Sequence, residues 1–176
     1  MRTRLCLCVL VATLAALFFA SGARAELILD PNLPPFPGAV HEPFTTAIAP
    51  SGATSITFTN SGVTFTFTTT PPRPFYFCDS SGACHLRAPF PNGIDVAISP
   101  GVAAIGFSHR WIECPGQFTY TGSAGSETYT PPFPPGLYFA GAANIGDITS
   151  AKLASTCPFA ETFDDMLFVP GTRTPP

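Results

Sequence analysis

The chain has 176 residues, about the length of one domain, and only 11% of them are charged, well below the usual quarter. Eight basic residues against eleven acidic ones give a net charge of −3. Nucleic acids and anionic membrane surfaces require clustered lysine and arginine, so the composition argues against both as partners. A folded surface this poor in charge must be covered by Thr, Ser, Gly and Pro, which is common in secreted β-proteins.

Residues 1–25 predict a secretory signal peptide. Two arginines begin the chain, an uncharged apolar run covers Leu5–Ala20, and Ala23 and Ala25 are the small residues that a signal peptidase recognises. The run is shorter than the roughly 20 residues that a membrane-spanning helix needs. We therefore expect cleavage before Glu26, a secreted, extracellular product, and no transmembrane segment in the mature chain.

The mature chain is predicted to divide into a lead-in, one domain and a tail. Residues 26–44 are rich in proline, which removes amide donors and fixes φ, so we expect an irregular lead-in. Residues 45–170 are expected to form the domain, and residues 171–176 a loose tail. Within the domain Ser55–Thr70 is the clearest hairpin, because Ile, Phe and Val alternate with Thr on both sides of an Asn-Ser-Gly turn.

The stretch Gly93–Phe107 is predicted to be the centre of the domain. From Ile94 to Ser99, β-branched residues alternate with more polar ones, the pattern of a half-buried strand. After a break at Pro100-Gly101, the segment Val102–Phe107 is small and apolar at nearly every position, as in a strand covered on both faces. We expect two strands here, joined at the break.

Short strands separated by turn signals continue to the end of the chain. They are predicted at Gly116–Thr121, Glu127–Thr130, Leu137–Ala142, Ile148–Ala154 and Phe163–Val169. No window after the signal peptide keeps a helical period for two turns. About eight to ten short strands of this kind indicate an all-β fold, an antiparallel β-sandwich or barrel with the phenylalanines in its core.

Four cysteines follow the signal peptide, and an even number in an exported chain predicts two disulfides. Cys78 and Cys84 bracket a turn-rich loop that could close a hairpin, which would leave Cys114 and Cys157 to join two distant segments. Three pairings are open in principle, and this one is favoured. The ligand spacing and the oxidising compartment argue against a zinc site at these cysteines.

Several motifs follow one another in a recognisable order. An Ile-Thr-Phe hairpin comes first, then a strand ending in Ala-Ile-Gly-Phe, a Gly-Leu-Tyr-Phe-Ala-Gly strand, an Ile-Thr-Ser-Ala-Lys-Leu strand, and a closing Phe-Asp-Asp-Met-Leu-Phe. Over residues 45–170 this order resembles the secreted bacterial β-sandwich domains that precede PEP-CTERM sorting signals. The resemblance implies a jelly-roll-type antiparallel β-sandwich, similar to galactose-binding-like and carbohydrate-binding modules, here disulfide-stapled and without the sorting tail.

Catalytic motifs are scarce, and we expect no enzyme. The chain has no Gly-x-Ser-x-Gly elbow, no His-Glu-x-x-His and no phosphate-binding glycine loop. A glycoside hydrolase-like enzyme would need two carboxylates across a cleft. Nothing in the sequence selects such a pair from Glu113, Glu127 and Asp165, so this function ranks third.

Asp164 and Asp165 are the candidates for a structural calcium site, and calcium is the only cofactor that we consider. Calcium takes hard oxygen ligands, and jelly-roll modules often bind it where the first and last strands meet. Asp30 or Glu42 could contribute from the lead-in. The alternative is that one aspartate accepts backbone amide bonds at the start of a strand while the other is solvated.

Aromatic residues in the second half of the chain are the candidate ligand contacts. They are Trp111, Tyr120, Tyr129 and Tyr138. Sugar faces pack on exposed aromatic rings, and ordinary core packing is the alternative interpretation. The threonines of Thr64–Thr70 add a hydroxyl-rich face that could be ice-like, glycan-bearing or merely solvated.

The sequence favours a non-catalytic protein that binds a carbohydrate outside the cell or in the cell envelope. The main alternative is a structural or matrix protein that associates with itself at the cell surface through its Thr-rich and Pro-rich surfaces. Neither function requires a nucleic acid partner.

Overall fold

The described part of the chain is built from β-strands. The computed structural model describes residues 26–45, 47–111, 116–130, 136–156, 158 and 161–171, and within them every paired strand is antiparallel and no helix occurs. The predicted signal peptide and the tail beyond Gly171 lie outside the described residues. The strands are β1 (Glu26–Ile28), β2 (Val40–Glu42), β3 (Ser55–Asn60), β4 (Val63–Thr68), β5 (Tyr76–Cys78), β6 (Cys84–Ala88), β7 (Ile94–Trp111), β8 (Gly116–Gly122), β9 (Gly125–Tyr129), β10 (Gly136–Ser155) and β11 (Glu161–Pro170).

Two long strands organise the fold. β7 has 18 residues and β10 has 20, and they pair with each other along most of their length. The prediction of two strands joined at Ser99-Pro100-Gly101 is wrong, since β7 continues through these residues as one strand and only its register against β10 shifts there. The same correction applies to Leu137–Ala142 and Ile148–Ala154, which are the two halves of β10. A bend with a register shift lets one strand serve two sheets.

Close backbone approach marks the bend. A Cβ on Gly101 would lie 2.9 Å from the Cβ of Asp147, so the two long strands meet there with no room for a side chain. In β10 the bend places Asn144 at φ 61° and Gly146 at φ 74°, in the left-handed region. The β8–β9 turn covers this corner, because its Ser123 amide donates to the carbonyl of Asp147 over 3.2 Å.

The two halves of the long strands belong to two sheets that face each other. The front sheet has the order β3, β4, first half of β7, second half of β10, β8, β9. In the back sheet the second half of β7 and the first half of β10 lie at the centre. β1 pairs with β10 on one side of this centre, and β11 pairs with β7 on the other. The far side of β11 pairs with β2 and with β6, and β6 pairs with β5. The antiparallel, sandwich-like all-β fold is confirmed, and jelly-roll connectivity stays a prediction.

An aromatic core joins the two sheets. The ring centroids of Phe65 in the front sheet and Phe168 in the back sheet are 4.9 Å apart, and those of Phe118 and Phe163 are 5.3 Å apart. All four rings are fully buried. In β4 and β8 the alternation of aromatic residues with Thr directs the rings inward. Burial of apolar surface of this kind is the main stabilising contribution.

The lead-in packs on the outside of the back sheet, which the sequence did not predict. Its ends form β1 and β2, and only the segment between them is irregular. Phe36 from this segment packs edge-on against Phe139 at 5.0 Å, and Ile28 and Ala104 complete a small separate cluster. The prediction of an irregular lead-in across residues 26–44 is therefore corrected, since the segment supplies strands and a second apolar cluster.

Two local predictions are confirmed. β3 and β4 form the expected hairpin, and both turn residues, Ser61 and Gly62, have positive φ, as a two-residue turn of type I′ requires. Cys78 and Cys84 form a disulfide that joins β5 to β6. The second predicted pair, Cys114 and Cys157, lies outside the described residues.

Candidate functional site

The outer side of the front sheet, which we call the hydroxyl face, carries mostly Thr and Ser side chains. Because successive strand residues point to opposite sides, the residues between the inward phenylalanines all point outward. The register aligns them into two rows that cross all six strands. One row is Thr57, Thr66, Ala97, Ser150, Thr121 and Ser126, and the other is Ser55, Thr68, Asp95, Lys152, Thr119 and Thr128.

Hydroxyl groups on this face pair across the strands of each outer hairpin. In the β3–β4 hairpin the hydroxyl oxygens of Thr59 and Thr64 are 2.9 Å apart, and a second Thr pair lies at 3.2 Å. In the β8–β9 hairpin the hydroxyls of Thr119 and Thr128 are likewise 2.9 Å apart, as is the Thr–Ser pair beside them. Such cross-strand pairs fix the rotamers, so each hairpin presents an ordered set of donors and acceptors.

Between the two hairpins lies a groove of about 240 Å³, with two threonines from each hairpin along its sides. In the row that contains Ala97 and Ser150, the central strands contribute smaller side chains than the threonines on either side, Thr66 and Thr121. This difference in side-chain size makes the middle of the face concave.

An ion pair spans the two central strands in the groove. The Lys152 ammonium donates to a carboxylate oxygen of Asp95 over 3.1 Å, and both side chains are about half exposed. The groove therefore offers an anionic acceptor, a cationic donor and neutral hydroxyls within one small space. The arrangement is suited to hydrogen bonding of a polar ligand.

The predicted aromatic residues do not line this groove. Tyr120 is 1% exposed, its hydroxyl donates to the carbonyl of Ala140 over 2.6 Å, and burial raises its pKa well above the usual value. A ligand on the protein surface cannot reach this ring, so Tyr120 is a core residue. Trp111 ends β7 opposite Gly136, and its side chain lies outside the described residues.

Tyr129 and Tyr138, two of the predicted ligand contacts, lie close enough together to interact electrostatically. Both are half-buried, and they lie on the inner sides of β9 and β10, one in each sheet. The pKa of Tyr129 is raised, mainly by burial and to a smaller extent by the neighbouring Tyr138. These two rings form a second, partly exposed candidate site at one edge of the sandwich.

The two aspartates of the predicted calcium site have different neighbours. They lie at a register shift in β11, where a carboxylate oxygen of Asp165 is 3.3 Å from Nε2 of His41. Asp164 lies near His85. Burial lowers the pKa of His85 below its usual value, and the Asp164 carboxylate offsets only part of that change. Over the described ranges, no group of three or more His, Cys, Asp or Glu side chains is arranged to hold a metal ion.

The carboxylates of the lead-in that could have joined such a site are engaged in hydrogen bonds with asparagine residues. Glu42 accepts a hydrogen bond from the Asn60 side chain over 2.7 Å, and Asp30 accepts two from Asn32. The described residues therefore give no support to a calcium site at Asp164 and Asp165, which stays a prediction.

Comparison with protein-family models, with curated proteins and with solved structures finds no match to this chain. The part of the chain that the structure describes contains no helix long and apolar enough to cross a membrane. The candidate sites are therefore judged on their geometry.

Sequence reasoning identified the threonines of β4 but missed the groove. The available signal was that Asp95 and Lys152 each occupy an outward position of an otherwise apolar strand. They are 57 residues apart in the chain, and only the pairing of β7 with β10 brings them together. The alternation of apolar and polar residues shows to which side of the sheet a side chain points, but it does not show which strand is its neighbour.

Proposed function

We propose that this chain is a secreted, non-catalytic protein that binds a carbohydrate outside the cell or in its envelope, in the groove of the hydroxyl face. The observation that carries the proposal is the groove itself, in which ordered hydroxyls and the Asp95–Lys152 pair surround a floor of small side chains. Sugars present many hydroxyls that both donate and accept hydrogen bonds. A surface with the same mixture of donors and acceptors is complementary to them.

The composition supports an uncharged or zwitterionic glycan. Among the described residues that line the groove, Asp95 and Lys152 alone are charged, and they neutralise each other. A strongly anionic polymer would meet Asp95 as well as the chain's net negative charge. The remaining contacts are neutral hydroxyls, so recognition would depend on hydrogen-bond geometry more than on charge.

A thermal melt of the protein, expressed as the full chain, with a panel of soluble polysaccharides tests this function. A ligand that binds only the folded state stabilises it by about 2.7 kcal/mol at a hundredfold excess over its dissociation constant. The blocking variant is Ala97→Phe, which fills the groove from an exposed strand position where an aromatic residue is well tolerated. The matched control is Thr59→Phe, which adds the same ring to the same face outside the groove.

We expect at least one glycan to raise the melting temperature of the wild type and of Thr59→Phe, and to leave Ala97→Phe unchanged. Melts without glycan check that both variants are folded. If Ala97→Phe responds as the wild type does, the groove is not the site. A response that is lost instead in Tyr138→Ala would move the site to the paired tyrosines at the sandwich edge.

A further inference from the structure

The outer edge of β3 is open. In the described residues β3 pairs only with β4. The two residues that flank a two-residue hairpin turn hydrogen-bond to each other, and every second residue along the strand does the same. The backbone groups of Ile56, Phe58 and Asn60 are therefore used by β4. Those of Ser55, Thr57 and Thr59 point away from the sheet.

This edge lacks the features that normally protect an exposed strand. Proteins blunt their edges with charged side chains, proline, bulges or very short strands. β3 has six residues, no charge, no proline and no register shift against β4. The opposite edge of the same sheet, β9, carries Glu127, and in the back sheet the edge strands β1 and β5 have three residues each.

We propose that β3 is a dimerisation strand, which pairs antiparallel with β3 of a second copy of this chain about a twofold axis at Thr57. In this register Thr57 faces Thr57 of the second copy, and Ser55 faces its Thr59. All the outward backbone donors and acceptors of these three residues then pair between the copies. The inference does not depend on carbohydrate binding.

The sequence of β3 is complementary to itself in this register. Its outward residues are Ser and Thr, so hydroxyls meet hydroxyls and extend the cross-strand pairs already present between β3 and β4. On the inner side Ile56 faces Phe58, whose ring stacks on Phe65 but stays partly exposed at the open edge. The second copy covers that ring with an apolar side chain.

Charge is consistent with a second copy as the occupant. The chain is net negative, so two copies repel each other wherever acidic residues meet. β3 itself has no charged residue, and the Glu42 carboxylate contacts the strand at Asn60, beyond the three residues that pair between the copies. An interface of this kind is isologous, since the same strand serves on both sides, and it closes after two copies.

The dimer would join two hydroxyl faces into one surface. The front sheets of the two copies become one continuous sheet of twelve strands, with both grooves on the same side. A polymeric ligand that reached both grooves would gain from the linkage between the two binding events.

Sedimentation velocity over a concentration series of the protein, expressed as the full chain, tests the proposal. We expect the wild type to change from monomer to dimer. Thr57→Lys places two ammonium groups opposite each other on the twofold axis, and it should raise the dissociation constant of the dimer roughly tenfold or more. Thr57→Glu should do the same with two carboxylates.

An equimolar mixture of Thr57→Lys and Thr57→Glu supplies the decisive result. Opposite charges then meet on the axis, so we expect a dimer that contains one copy of each variant. Thr64→Lys is the matched control, because it adds the same charge to the same face of the neighbouring strand and should leave the dimer intact. Thermal melts check that every variant is folded.

Three results would overturn the proposal. They are a wild type that stays monomeric at every concentration, a Thr57→Lys variant that dimerises as well as the wild type, and a mixture of the two charge variants that stays monomeric. A monomer that accepts only a foreign peptide strand at this edge also counts against a second copy as the occupant.

Discussion

The outer side of the back sheet is covered by the chain's own lead-in, whereas no described segment covers the outer side of the front sheet. Under the lead-in the outward residues are apolar, among them Ala104 and Phe139, and they pack with Phe36. On the front sheet the corresponding positions carry Thr, Ser and one ion pair. The same two strands, β7 and β10, pass through the centre of both sheets.

This comparison shows that each half of a long strand has the composition of the layer that it joins. In the first half of β7 apolar residues alternate with more polar or smaller ones, because only one face of this half is buried. In its second half the stretch Ala104–Phe107 is buried and apolar on both faces, because the core lies on one side and the cluster that includes Phe36 of the lead-in lies on the other. The face without a cover is therefore the one available to a ligand, which is why the proposed site lies on the front sheet.

Removing the cover of the back sheet should have the largest effect on stability. Phe36→Ala deletes a ring that is 3% exposed, and we expect it to lower the free energy of unfolding by about 3–5 kcal/mol. Urea denaturation measures this loss. Phe90→Ala is the matched control, since that ring is 39% exposed and its removal should change stability by less than about 1 kcal/mol. Equal losses in the two variants would contradict the described packing of the lead-in.

A buried histidine between the two sheets should make stability depend on pH. His109 packs between Phe118 and Phe163, and burial lowers its pKa to about 4. In the unfolded chain histidine titrates near 6.5, so between these values the unfolded state binds a proton that the folded state excludes. Stability from this group is complete above about pH 6.5 and is lost as the pH falls toward 4, by on the order of 3 kcal/mol.

Urea denaturation at a series of pH values measures this dependence. His109→Phe keeps a ring at the position and should remove most of the loss between pH 6.5 and 4. His41→Phe replaces a histidine that is about half exposed, and it should leave the loss in place. A pH dependence that is unchanged in His109→Phe would show that another group is responsible.

Adding side-chain volume to β7 should affect stability differently in its two halves. Gly106 lies in the covered half, where an added Cβ would overlap the ring of Phe139, so we expect Gly106→Ala to destabilise by about 1–3 kcal/mol. Ala97 lies in the open half and is exposed, so Ala97→Val should be neutral or slightly stabilising. Thermal melts of both variants measure the difference. A loss at Ala97 as large as that at Gly106 would mean that the front sheet is also covered.

The smallest effect is expected at the ion pair of the open face. Lys152→Met removes one partner of a half-exposed pair, and such pairs contribute at most about 1 kcal/mol. Denaturation at low and high salt measures this contribution, which should fall as salt rises. If glycan binding is lost in Lys152→Met while stability is kept, the pair serves the ligand and not the fold. A large loss of stability would reverse that conclusion.

Local sequence patterns predicted much of the fold. The β3–β4 hairpin, the disulfide between Cys78 and Cys84 and the final strand were all predicted, because each depends on residues close together in the chain. The continuity of β7 was missed, since Pro100-Gly101 resembles the end of a strand. The inward side of β7 changes shortly after this dipeptide, from the even positions, which extend to Val102, to the odd ones, Ile105 and Phe107. A phase change of this kind looks like two separate strands.

The candidate site was predicted only in part. Thr66 and Thr68 were recognised as members of a hydroxyl-rich face, and both line the groove. Tyr120 was chosen as a ligand contact, although its alternating position is equally compatible with the core, where the structure places it. A tyrosine in a strand has the same sequence pattern in either environment, because its hydroxyl can bind water or a buried carbonyl such as that of Ala140.

The amino-acid sequence alone was enough to predict that the chain is all-β, which residues of the β3–β4 hairpin point toward the core, and where the local disulfide forms. These follow from side-chain alternation, turn chemistry and short loops, which act over a few residues. Three features emerge only from the tertiary structure: the lead-in covers one sheet, Asp95 meets Lys152, and the outer edge of β3 has no partner strand among the described residues. Each of these depends on which distant strands become neighbours, and alternation is the same for every choice of neighbour.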